Sequence, residues 1–380
     1  LKNFLSLYFH IPFCLEKCDY CDFYSIVPKN NEVKLFVENI FRDIKEKKSL
    51  LPNNFRIRTI YFGGGTPSII LKYYPNFFQD VINQFQQAIK NKIEITVEIN
   101  PSLIDSHEID LFFENGINRI SAGVQTTDRY LLKLLGRKSF PEKSFKNFKK
   151  ISNLFTNWSI DIIYGIPDQS IESISKTLEK FFSSNFPNPP KHVSAYQLEI
   201  KSNTALKKRN TCLPNENRIL EQYEFICNFL KQKNMSHYEV SNFAKKGYCS
   251  IHNQAYWNEL DYIAFGPGAT GKYFCTRTQN TKSRNVSSDK RNGINHHTCL
   301  EEPGLLEETY VMMKLRTASG IQFNKFKKRF KKDFMLEYGR GIKKCLDSGH
   351  GIMDGNRFKL TEKDWMVLNS ILYTVLYSNN

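Results

Sequence analysis

The chain has 380 residues, room for two to three ordinary domains or one large α/β barrel with an appendage. Hydrophobic residues make up 41% and charged residues 24%, which excludes disordered, collagen-like and disulfide-miniprotein classes; no apolar run reaches the roughly 20 residues of a bilayer span. The 54 Lys and Arg against 38 Asp and Glu leave +16, a field that attracts anions but names none, because the Lys-rich runs 45–48, 143–150 and 325–332 read as solvated helix faces rather than a nucleic-acid surface. The amino-terminal segment shows no signal-peptide pattern, so the cytoplasm is the expected compartment.

In chain order, β-rich runs at 4–10, 57–62, 93–99, 117–124, 158–164 and 192–198 alternate with helix-period segments. Examples are 33–44, with Val33, Val37, Ile40, Phe41 and Ile44, and 170–182, with Ile171, Ile174, Leu178 and Phe181. The alternation predicts an α/β fold: a partial (β/α)6 TIM-like barrel with its chemistry at the carboxyl ends of the strands. From about Asn203 the pattern changes. A helix is expected over 215–233, an aperiodic Gly/Asn/aromatic region over 238–274, a loop or insertion over the polar stretch 276–297, and helices after 305. Asp354-Gly355-Asn356 between apolar flanks then has hairpin chemistry. The expected division is a barrel over 1–200, an extension over 201–300, and a smaller α+β, winged-helix-like C-terminal domain over 301–380.

Three of the nine cysteines, Cys14, Cys18 and Cys21, fall in the loop after the first strand. Clustering of this kind argues for a metal site over a disulfide framework. Thiolates suit zinc or an iron–sulfur cluster; a closed zinc site wants four donors, and only His10 offers itself as a fourth. A cubane on three thiolates instead leaves one iron open to a chelating ligand. Gly63-Gly64-Gly65-Thr66-Pro67 ends the second strand with backbone that a ligand can approach closely. The remaining cysteines, Cys212, Cys227, Cys249, Cys275, Cys299 and Cys345, read as ordinary thiols, with Cys249 singled out by its nearness to His252.

The three-cysteine motif, with Tyr20 before its last member and the Gly triplet one βα unit later, resembles that of the radical S-adenosylmethionine superfamily. The resemblance implies a [4Fe-4S] cluster on Cys14, Cys18 and Cys21. It further implies S-adenosylmethionine chelated to the unique iron, contacted by Tyr8, Tyr20, Gly64, Gly65, Thr66, Glu98, Gln125, Arg137 and Asp161, and cleaved by an electron to a 5′-deoxyadenosyl radical. Leu7 to Cys14, Gly116 to Ser121, Leu134 to Arg137, Ile160 to Gly165 and Tyr238 to Ala244 narrow the resemblance, over 5–271, to the oxygen-independent coproporphyrinogen III oxidase group.

That group holds true oxidases, which decarboxylate porphyrinogen propionates, and oxidase-like heme chaperones. Where the oxidases carry a fourth cysteine this chain has Phe23, as the chaperones do, and His252-Asn253-Gln254-Ala255-Tyr256-Trp257 resembles the chaperones' His-Asn-x-x-Tyr-Trp. Read alone, one His beside two aromatics is a packed element; the resemblance makes His252, Asn253, Tyr256 and Trp257 heme-binding residues. It implies a heme chaperone without oxidase activity, coproporphyrinogen oxidase being the alternative. The implied partners are heme as cargo and a heme-accepting protein, such as a membrane-associated respiratory protein, with the chain a monomer or dimer. Asp168 stands where the family usually has Gly; Thr270 stands where it commonly has His, so no second axial ligand is assigned to His252.

Overall fold

Residues 4–29, 31–137, 142–274, 276–280, 296–300 and 303–378 are described by a computed structural model. The six predicted strands form as β1 (Phe4–Ile11), β2 (Arg56–Gly64), β3 (Glu94–Ile99), β4 (Arg119–Gln125), β5 (Trp158–Tyr164) and β6 (His192–Gln197), each parallel to the next. Between them run α1 (Glu32–Ser49), α2 (Phe77–Asn83), α3 (Ser106–Glu114), α4 (Arg129–Leu134), α5 (Glu142–Leu154) and α6 (Ile171–Phe181). Strand side chains alternate between faces. One face, with Leu7, Phe9, Phe62, Val97, Ile120 and Ile160, is buried with the helix stripe Phe36, Val37 and Ile40 in a single core. Each such side chain contributes roughly 1.5–3 kcal/mol by leaving water. The opposite face is polar, with Tyr8 and His10, Thr59 and Tyr61, Thr96 and Glu98, Arg119 and Ser121, Ser159 and Asp161 on successive strands. The helix starts are fixed locally: Asp105 and Glu108 close a capping box on α3, and Ser170 caps α6.

Segment 201–300 widens the sheet at both edges. After α7 (Ala205–Lys208) and α8 (Glu216–Gln232), β7 (Ser236–Glu239) and β8 (Asn242–Ala244) add antiparallel beyond β6. After α9 (Ile251–Trp257), β9 (Tyr262–Phe265) pairs parallel with β1; β10 (Thr270–Tyr273), β11 (Thr276–Asn280) and β12 (His296–Leu300) continue antiparallel. The order is β12-β11-β10-β9-β1-β2-β3-β4-β5-β6-β8-β7, so two edges remain among the described residues and the barrel is partial. The loop expected over 276–297 is corrected at its ends: Thr276–Asn280 is a strand, and Gln279 and Asn280 pair with His297 and His296. Its polarity misled because β11 lies near the margin of the sheet, where polar side chains are tolerated. Residues 281–295 lie outside the described residues.

The C-terminal part has its own core, with Val311, Leu315, Phe326, Phe334, Ile342, Phe358 and Ile371. It comprises α10 (Pro303–Leu315), α11 (Phe323–Phe330), α12 (Phe334–Asp347) and α13 (Leu368–Tyr377). Beside them β13 (Ile321–Gln322), β14 (Ile352–Met353) and β15 (Arg357–Lys359) form a small antiparallel sheet; β14 and β15 are the hairpin expected around Asp354-Gly355-Asn356. Among the described residues no helix is long and apolar enough to cross a membrane.

Candidate functional site

The cysteine loop leaves β1 and is tied down at three places. At its base the Cys14 N–H donates to Ile26 O at 3.0 Å and the Ile26 N–H to Pro12 O at 2.7 Å. At its far side the Asp19 N–H donates to Leu135 O at 3.0 Å, the Leu206 N–H donates to Asp19 O at 3.1 Å, and the Asp19 carboxylate pairs with Arg209 at 2.6 Å. Gly136 sits against this segment at φ 72°, where any Cβ would collide with the Asp19 carboxylate. The third tie is the end of β2. The Gly65 N–H donates to Ile11 O at 2.7 Å, and a Cβ at Gly65 would lie 2.5 Å from Phe13 O. The glycine there lets two backbones meet, which brings Thr66 Oγ1 to 3.9 Å from Cys14 Sγ.

Cys14, Cys18 and Cys21 open on a cavity of about 360 Å³. Its walls carry Tyr20, Gly64, Gly65, Thr66, Glu98, Gln125, Arg137 and Asp161, eight of the nine residues expected around a cosubstrate. Tyr8 alone of the nine stays out of the lining; its hydroxyl is 3.1 Å from His10 Nδ1. Burial raises the Glu98 carboxyl, which accepts from the Tyr61 hydroxyl at 2.7 Å and the Gly64 N–H at 3.0 Å. Burial likewise raises Asp161, whose carboxylate accepts from Ser121 Oγ at 3.0 Å. Arg137 donates to Gly123 O at 2.7 Å and to the Tyr20 hydroxyl at 3.2 Å, and its Nε has no hydrogen-bond partner among the described residues. Gln125 ends β4 in the left-handed region at φ 66°, a conformation that costs a non-glycine residue roughly 1 kcal/mol or more and is concentrated at functional sites.

Three soft donors therefore face two buried carboxylates, an incompletely paired guanidinium and glycine backbone. The donors fit a cluster held by three thiolates. The wall fits a ligand with an amine, a carboxylate and hydroxyls. Burial raises the Cys14 thiol and pushes Cys21 up to about 11. Phe23 occupies the mouth and is 65% exposed. Sequence reasoning missed Tyr61 and Ser121, which hold the two carboxylates, and Tyr196 in the wall. The period of 2 along β2, β4 and β6 was the available signal, since it puts Tyr61 on the face of Gly63, Ser121 on that of Gly123 and Tyr196 on that of Ser194.

His252, Asn253, Tyr256 and Trp257 line no part of this cavity. They lie on α9, whose first turn is capped by Ser250 and by the Glu94 carboxylate, which accepts from the Ile251 and His252 N–H groups at 3.1 and 2.9 Å. The His252 ring is 1% exposed and stacks on Tyr61 at 4.8 Å. Thr59 Oγ1 lies 2.7 Å from its Nδ1, and the Tyr256 hydroxyl 2.7 Å from its Nε2. Burial lowers its pKa to about 3, so the ring is neutral. Asn253 and Trp257 are half-buried, and the Trp257 indole N–H is out of water with no acceptor among the described residues.

Residues 8–181 match the model of the radical SAM superfamily, and residues 300–367 that of the HemN C-terminal domain. The heme chaperone HemW of Lactococcus lactis subsp. lactis (strain IL1403) is 30% identical over 377 residues, 96% of each chain. The heme chaperone HemW of Buchnera aphidicola subsp. Schizaphis graminum (strain Sg) is 31% identical over 378 residues, 97% of each chain. In structure, coproporphyrinogen III oxidase (HemN) from Escherichia coli, described as a radical SAM enzyme, aligns with a TM-score of 0.82. That alignment covers 98% of this chain and 90% of the other at 20% identity, a likeness of fold alone. The match to HemW proteins runs nearly end to end and takes in the cysteine loop, the polar strand ends and the C-terminal core, so the chain belongs to the HemW family of the radical SAM superfamily.

Proposed function

We propose that the protein is a heme chaperone that carries a [4Fe-4S] cluster and S-adenosylmethionine in the cavity described above, binds heme, and passes it to an acceptor protein. The observation that carries the reading is the near full-length similarity to HemW proteins, joined to a phenyl ring, Phe23, at the mouth where the oxidases of this group have a thiol. Cys14, Cys18 and Cys21 would hold the cluster, which supplies one-electron reducing chemistry to the sulfonium when bound. Arg137 is placed to pair with the cosubstrate carboxylate, Glu98 and Asp161 to accept from its amine and hydroxyls, and Gly64 and Gly65 to let it approach the backbone. His252, Asn253, Tyr256 and Trp257 are the residues proposed for heme, with imidazole as the iron ligand and the aromatic rings against the macrocycle.

Anaerobic reconstitution followed by heme titration tests this. The expected result is iron and sulfide that are lost on Cys14→Ser, Cys18→Ser or Cys21→Ser, a Soret shift with heme that His252→Ala removes, and no carbon dioxide from coproporphyrinogen. Release of carbon dioxide with 5′-deoxyadenosine would move the assignment to the oxidase. A parent protein without a Soret shift would remove the heme half of the proposal.

A further inference from the structure

Away from the cavity, three ligating side chains from separate parts of the chain meet. Cys227 lies on α8, His237 on β7, and Glu362 in the connection that follows β15. Cys227 Sγ is 4.0 Å and Glu362 Oε1 is 3.9 Å from His237 Nδ1. The three ligating atoms all fall within 4.8 Å of one another. Thiol, imidazole and carboxylate together form a donor set for a borderline-soft divalent ion. Zinc bonds of about 2.0–2.3 Å in a tetrahedron put donors roughly 3.3–3.8 Å apart, so the two separations from Nδ1 have to close by a few tenths of an ångström and that between Cys227 and Glu362 by up to about 1 Å. The Glu362 side chain, 52% exposed, is free to make that movement.

The geometry points to a zinc-type site on Cys227, His237 and Glu362, with water in the fourth position, clipping the C-terminal segment to the barrel extension. Its surroundings are built as an outer shell would be. The His237 Nε2–H donates to Val240 O at 3.4 Å, which leaves the Nδ1 lone pair facing the other two donors. The ring is clamped between Phe243, stacked at 3.8 Å, and the edge of Trp365 at 4.6 Å. Tyr223, one helical turn before Cys227, donates its hydroxyl to Glu362 O at 2.8 Å and holds that backbone in place. Cys227 belongs to the first core and Trp365 to the second, so an ion here would join the two.

The test uses full-length, cluster-loaded protein, in which the loop thiols are occupied, titrated anaerobically with cobalt(II). The expected result is one equivalent bound with a thiolate-to-cobalt charge-transfer band, displaced by zinc. Cys227→Ser abolishes the band. Glu362→Gln, a surface change that leaves the packing intact, weakens binding by about tenfold or more and removes the rise in melting temperature that zinc gives the parent. Absence of the band in the parent, its persistence in Cys227→Ser, or parent-like affinity in Glu362→Gln would each overturn the site.

Discussion

His252 shows how one buried side chain writes itself into the acid stability of the protein. Its folded pKa is lowered to about 3 by burial, reinforced by the charge of Arg119, against about 6.5 when unfolded. Between those values the unfolded chain takes up a proton that the folded chain refuses, so stability falls as the pH drops below about 6.5 and goes on falling toward 3. At pH 5 this one ring removes about 2 kcal/mol relative to neutral pH. His237, lowered to about 3 by burial as well, adds to the slope when no metal is bound. Urea midpoints measured from pH 7 to pH 5 are expected to fall less steeply in His252→Gln than in the parent; equal slopes would contradict the burial account. At this scale the grouping of Cys14, Cys18 and Cys21 was legible from its spacing, and that of Glu98 and Asp161 around the same cavity only through the family resemblance, since each carboxylate read singly is an ordinary cap or surface contact. The partners of His252 were not, because Thr59 is 193 positions away in the chain and nothing local announces it.

Among the elements, the cysteine loop depends on a helix terminus outside it. Gly136 follows α4, and its left-handed backbone lets Leu135 O receive the Asp19 N–H. Gly136→Ala combines backbone strain of roughly 1–3 kcal/mol with a collision against Asp19, and is expected to reduce iron content after reconstitution by half or more. Gly247→Ala is the control: it has φ 87° but no atom within 4 Å of the added carbon, so iron content should match the parent. Six strands were readable from β-branched and aromatic runs. The strands flanking 281–295 were not, since polar residues such as Thr276, Gln279 and Asn280 give no hydrophobic alternation. The inward seat of α9 was equally hidden: a seven-residue helix contains too few turns for its periodicity to say which neighbour it faces.

On the scale of the whole molecule, the extension and the C-terminal core meet at a nearly dry charge cluster. Glu259 and Lys272 form an ion pair with both side chains 3% exposed. Arg329 of α11 reaches the same carboxylate at 4.0 Å, and Lys314 of α10 donates to Asn258. Taking the charge from one member of a buried pair leaves the other less well compensated. Glu259→Gln should therefore lower the urea midpoint, and an unchanged midpoint would show that the pair contributes nothing net to stability. Composition foretold a basic chain with more than one core, but not this junction, which brings together the turn after α9 with β10, α10 and α11.

The His252 ring is clasped between two hydroxyls, those of Thr59 and Tyr256. On the heme chaperone reading proposed above, iron that takes His252 Nε2 as its ligand must first displace the Tyr256 hydroxyl 2.7 Å away, and that displacement is an event within one molecule. In stopped-flow mixing, the observed rate of Soret change should bend to a ceiling as heme is increased rather than climb in proportion. Tyr256→Phe, with no latch to lift, should raise that ceiling.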